Sequence, residues 1–184
     1  MFVGTTAADA QHGGGPPNRT PPAEASQFNF LVGQWDLEVK PAPVGLGQRI
    51  HGVPKLVGVW KAWRGLDGWG IEDELRIVDG SGNPVGFSHA VRYYDATSKT
   101  WKTSSLDVYR GVFTSGTARR ASADIVTSSR GADANGKPYV SRSRYHDISR
   151  DAFTFTQERS ADNGKTWKQT LEISAKRVAA AAAR

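Results

Sequence analysis

The strongest constraint on this chain is a turn signature near its C-terminal end. Ser160-Ala161-Asp162-Asn163-Gly164-Lys165-Thr166-Trp167 reads S-x-D-x-G-x-T-W at every specified place. An Asp side chain accepts hydrogen bonds from backbone N–H groups a few residues on and so pre-forms a turn. Asn-Gly takes up the positive φ angles of a tight hairpin at little steric cost. Thr and Trp then re-enter a strand, where β-branched and aromatic side chains pack well. A looser copy lies upstream, Tyr94-Asp95-Ala96-Thr97-Ser98-Lys99-Thr100-Trp101. Asp162 could be read as an acid or a metal ligand, but turn capping accounts for the whole spacing. The pattern describes a chain of tight antiparallel hairpins.

The rest of the chain repeats that grammar. Runs suited to strands occupy 34–40, 55–63, 69–78, 85–94, 101–109, 111–118, 121–129, 138–147, 152–158 and 166–176. Turn residues separate them, as in Asp79-Gly80-Ser81-Gly82-Asn83-Pro84 and Asp133-Ala134-Asn135-Gly136. Phe28-Asn29-Phe30-Leu31 reads as a short helical plug ended by Gly33. About ten short antiparallel strands with no useful helical period indicate a sandwich or a closed barrel. Even strand lengths favour an all-β, single antiparallel up-and-down barrel, since closure leaves no exposed edge. Residues 41–54, rich in proline and glycine, form the longest irregular stretch and are a candidate lid.

Composition sets the limits of the domain. Residues 1–26 are Gly- and Pro-rich and read as a disordered tail, 27–177 as the barrel, and 178–184 as an Ala-rich C-terminal tail. Residues 5–10 resemble the end of a secretory signal but lack a basic and an apolar region before them. The compartment therefore stays open between cytoplasmic and periplasmic or secreted. There is no cysteine, so neither a disulfide framework nor a thiolate site is available. The net charge of +6 comes from Lys and Arg interleaved with acids. No nucleic-acid reading motif accompanies it, and no apolar run has the ~20 residues of a membrane-spanning helix.

Gly33-Gln34-Trp35, following the plug and opening the first strand, resembles the G-x-W signature of lipocalin and calycin barrels. More specifically, the chain resembles the DUF1579-type family of uncharacterised, calycin-like bacterial proteins. That pattern runs F-x-F-L-x-G-x-W, an acidic strand, R-x-Y-D with a following Trp, and S-x-D-x-G-x-T-W. Here these parts are Phe28 to Trp35, Glu72-Asp73-Glu74, Arg92-Tyr93-Tyr94-Asp95 with Trp101, and Ser160 to Trp167. The resemblance covers nearly the whole folded part and implies a calycin-like barrel, without donating a catalytic set. The last motif also resembles the Asp-box of sialidases, a structural corner repeated around a propeller. A further resemblance, to the haem-binding nitrobindin type, fails at Leu37 and Val39, where that opening has glycines. His146 would be its only candidate proximal ligand.

Candidate site residues follow from strand alternation. Ala90, Arg92 and Tyr94 share one face of their strand, and the family-like motif places that face inward. An inward Arg needs a carboxylate partner or marks an anionic ligand group. Glu72 and Glu74, on one face, could supply the partner, as could Glu158. Trp35 reads as the barrel-floor aromatic. Trp60 and Trp63 fall on opposite faces, so one of them should line the interior. With Trp101 they could wall a flat apolar ligand.

The leading reading is binding of a small, mostly apolar molecule, with or without an anionic group, oriented by Arg92 and Tyr94 and walled by Trp60, Trp63 and Trp101. The alternative is a cofactor-independent lyase, isomerase or hydrolase acting on a hydrophobic substrate. Its catalytic candidates are His51, Glu74, His89 and His146, for example His51 on a lid over Glu74. A third reading is a structural protein with a filled barrel. No cofactor and no metal are implied, because no H-x-H or H-E-x-x-H spacing occurs. A homodimer is compatible with the sequence.

Overall fold

The computed structural model describes residues 20–43, 45–133 and 135–179. Among them are ten strands: β1 (Gly33–Pro41), β2 (Leu56–Gly65), β3 (Gly70–Asp79), β4 (Pro84–Asp95) and β5 (Thr100–Asp107). The others are β6 (Val112–Ala121), β7 (Asp124–Ala132), β8 (Pro138–His146), β9 (Ala152–Ser160) and β10 (Lys168–Arg177). Each strand pairs antiparallel with the next, and β10 pairs back onto β1, giving a closed barrel. Closure follows from the even strand lengths and removes the unpaired edge N–H and C=O groups that would template aggregation.

All ten expected strands are present, within three residues at their ends. The largest displacement is at the β6–β7 hairpin, where the turn holds no Gly or Asn. Ser122 takes the left-handed conformation there, at φ 59°.

The interior is blocked at one end. The two 3₁₀ turns Ala23–Ser26 and Asn29–Leu31 lie under the barrel, where Phe28 and Leu31 are fully buried. Phe28 meets Trp101 edge-on at 4.8 Å between ring centres and Tyr145 at 5.8 Å, while Trp35 meets Phe153 at 4.8 Å. The Trp35 indole N–H donates to the Leu31 carbonyl at 2.8 Å, tying the plug to β1. Gly33 turns the chain from plug to strand at φ 123°, and a Cβ there would stand 2.6 Å from Arg177 Nη1. Only glycine satisfies both conditions.

Two expectations need correction. The expected disordered tail over 1–26 does not hold at its end, where Ala23–Ser26 form a 3₁₀ turn and Ala25 is buried in the core beside the plug. The stretch 41–54 was read as irregular, but it contains a helix, α1 (Gly45–His51). Arg49 in its last turn complements the helix dipole, and Gly52 at φ 85° ends it. None of its residues is buried. The expectations for 1–19 and 180–184, the signal-like segment and most of the Ala-rich tail, fall outside the described residues.

Candidate functional site

Above the plug the barrel is open. A cavity of about 510 Å³ lies between the floor and the end where the β3–β4, β5–β6, β7–β8 and β9–β10 hairpins turn. The connection carrying α1 leaves from this same end. Each of those four hairpins is organised by an aspartate. Asp79 accepts from the Ser81 and Asn83 N–H groups, Asp107 from that of Arg110, and Asp133 from those of Asn135 and Lys137.

In the S-x-D-x-G-x-T-W hairpin, Asp162 accepts from the Ser160 and Thr166 hydroxyls and from the Thr166 N–H. These bonds hold the Asp162 carboxyl far below the usual carboxylate range, the Ser160 hydroxyl contributing most. The Ser98 hydroxyl similarly lowers Asp95 in the looser copy, at the plugged end. Both signatures are corners.

The floor of the cavity is polar, and its two charges are paired with each other. Asp73 and Arg92 form an ion pair, with side chains only 3% and 9% exposed. The Asp73 carboxylate also accepts from the Trp60 indole N–H at 2.8 Å, and Arg92 donates to the Tyr145 hydroxyl at 3.2 Å. A buried pair of this kind is tolerable because each charge faces its opposite, with Trp60 and Tyr145 adding one hydrogen bond to each side. The sequence reading took the acidic strand in the wrong register. Asp73, not Glu72 or Glu74, points inward, because alternation puts the two glutamates on the outer face together. Glu72 lies 3.6 Å from His89 Nε2, Glu74 pairs with Arg76, and Glu158 pairs with Arg142 at 2.6 Å.

The remaining candidates separate by end and by face. Trp60 and Arg92 line the cavity. Tyr94 and Trp101 point inward but lie at the plugged end, packed on each other at 5.6 Å, so they do not wall the cavity. Burial pushes the Tyr94 hydroxyl up, with the Glu24 and Asp95 charges adding to it. Trp63 is on the outer face, 39% exposed, beside the His89 ring. His51 ends α1 in solvent, and His146 Nδ1 pairs with Asp147 at 2.7 Å at the end of β8. No His or Glu is among the described residues that line the cavity. Nor do three His, Cys, Asp or Glu gather anywhere among the described residues as a metal site would require.

What the sequence reading missed is the middle and upper wall. Between floor and mouth the wall is largely hydroxyl-bearing, including Thr103, Ser105, Thr114, Ser129 and Ser141. Ser105 bonds Thr114 at 2.7 Å and Ser129 bonds Ser141 at 2.8 Å. Higher up, Tyr139 and Arg159 face the cavity, with the Arg159 guanidinium 4.4 Å from the Tyr139 ring centre. The signal was present as alternation along β8, where Tyr139, Ser141, Ser143 and Tyr145 share one face, and along β9, where Phe155, Gln157 and Arg159 do.

No family model matches the chain, and no curated protein matches it. Among solved structures it is similar to the structure of EF1p2_mFAP2b bound to DFHBI, with 9% identity and a TM-score of 0.42. The match covers 85% of this chain and 100% of that one.

Proposed function

We propose that this protein binds a small molecule inside the barrel, entering from the end opposite the plug. The observation that carries this reading is the cavity of about 510 Å³ above a floor whose polar groups are already paired. That volume lies within the range of small-molecule sites, ~300–1,000 Å³. A filled barrel would have large side chains at every layer, whereas this one has serines and threonines in the middle. The aromatic surfaces of Trp60 and Phe155 at the base suit an apolar body, and the hydroxyl wall suits polar groups around its rim.

Binding is favoured over catalysis because the carboxylates facing the cavity are engaged. Asp73 holds Arg92, while Asp107 and Asp133 hold their turns. On its four ordered motifs we further place the chain with the DUF1579-type calycin-like barrels.

Native mass spectrometry beside the denatured mass, together with fluorescence titration by the neutral dye N-phenyl-1-naphthylamine, tests the reading. A co-purified mass lost on denaturation, or saturable dye binding at one site per chain, supports it. A clean apo mass together with no saturable dye binding would sink it.

A further inference from the structure

Of the three arginines lining the cavity, two are neutralised. Arg92 is paired with Asp73 on the floor, and Arg110 lies 3.7 Å from Asp107 at the mouth. Arg159 has no acidic partner among the described residues, and its Nε is fully buried without a hydrogen-bond acceptor. That Nε is sealed from the cavity, so the end of the guanidinium that lines the cavity, which carries no acceptor either, is the part open to a ligand.

The surroundings hold Arg159 in place without satisfying it. Its guanidinium sits over the Tyr139 ring. Tyr139 in turn crosses the bare backbone of Gly131, where a Cβ would stand 2.8 Å from the Tyr139 hydroxyl. Stacking on an aromatic face orients a guanidinium while leaving its in-plane donors free. Arg159, Ser141 and Ser129 are register partners on β9, β8 and β7. In the Ser129–Ser141 pair one hydroxyl donates to the other, so one O–H remains to donate elsewhere.

Resting on the cavity-binding reading, we propose that Arg159 is the anion anchor of the cavity and takes a monoanionic oxyacid group of the ligand, a carboxylate or sulfonate. The charge inventory selects a monoanion. Arg159 is the one cavity arginine without an ion-pair partner among the described residues, and Asp133 at the mouth, which has no arginine partner, opposes a dianion such as a phosphate monoester. The anchor is therefore high on the wall, not at Arg92 on the floor.

Two dyes of one scaffold test this, 8-anilinonaphthalene-1-sulfonate and N-phenyl-1-naphthylamine, which differ only in the sulfonate. Each is titrated into the wild type, Arg159→Met and Arg159→Lys, with circular dichroism and thermal melting to confirm folding. Arg159→Met should weaken the sulfonate dye by about tenfold or more and leave the neutral dye within about twofold, since a charge-assisted bidentate contact is lost. Arg159→Lys should restore part of the sulfonate affinity. Equal affinity of the sulfonate dye for wild type and Arg159→Met, with the neutral dye still bound, overturns the anchor while leaving the cavity reading standing. Loss of both dyes by a folded Arg159→Met also overturns it, because the arginine would then be shaping the wall. If the folded wild type binds neither dye, the cavity reading fails and the anchor with it.

Discussion

Arg177 on the last strand sits over the indole of Trp35 on the first, its guanidinium carbon 3.9 Å from the ring centre. Its donors reach the carbonyls of Arg150 at 2.7 Å, Val32 at 2.7 Å and Phe30 at 2.8 Å. One side chain thus ties β10, the β8–β9 turn, the plug and β1 together at the closed end. Arg92, the inward arginine the sequence pointed to, lies on the cavity floor instead.

Arg177→Met should therefore lower stability by about 2–4 kcal/mol, the range for losing charge-assisted bonds to backbone and a cation–π contact. Arg177→Lys should recover only part, because an ammonium cannot fork to three carbonyls. Urea unfolding midpoints at constant slope measure both.

Removing one partner of the floor ion pair should be worse than removing both charges. Asp73→Asn keeps an acceptor for Trp60 but strands the Arg92 charge, at a cost of about 3–5 kcal/mol. Adding Arg92→Met to Asp73→Asn should restore a large part of that loss. If the double variant is no more stable than Asp73→Asn alone, the pair is not the source of the destabilisation.

Trp101 and Trp63 should respond oppositely to truncation. Trp101 is 1% exposed, edge-on to Phe28, and donates to Gln27 at 3.1 Å. Trp101→Ala should cost roughly 3–5 kcal/mol as a large-to-small core change. Trp63→Ala, on the outer face, should stay within about 0.5–1 kcal/mol and leave N-phenyl-1-naphthylamine binding unchanged. Melting curves and dye titration of the two variants separate these outcomes.

The Asp162 corner should show itself in acid. Its folded carboxyl titrates well below the unfolded one, held by Ser160 and Thr166. The resulting stability is fully present above the ordinary carboxylate value of about 4 and fades as pH falls toward the depressed folded value. Asp162→Asn, which mimics the protonated side chain, should melt below the wild type at pH 7. The gap should narrow steadily below about pH 4. A gap that stays constant from pH 7 to pH 2 would show that the carboxylate charge is not what organises the turn.

Local chemistry made most of the barrel legible. Asp79, Asp95, Asp133 and Asp162 each shape a turn through bonds within four residues of themselves, so their hairpins could be read without knowing what lay across the barrel. Alternation put Ala90, Arg92 and Tyr94 on one face, and the family-like motif set that face inward, where all three are buried. The β6–β7 corner was harder because Ser122 carries no such signature, and α1 was missed because none of its residues packs into the core.

The site depended on height within the barrel, which alternation does not encode. Tyr94 and Arg92 share a face two residues apart, yet one is packed at the plugged end and the other forms the cavity floor. Asp73 became the partner of Arg92 through the register of the β3–β4 hairpin, and Arg159 was left facing the cavity without a partner. A side chain's face is set by its own strand's pleat, with a period of two. Its depth and its partners are set by register and closure, which bring β1 to β10 and Arg177 to Trp35 across nearly the whole folded chain.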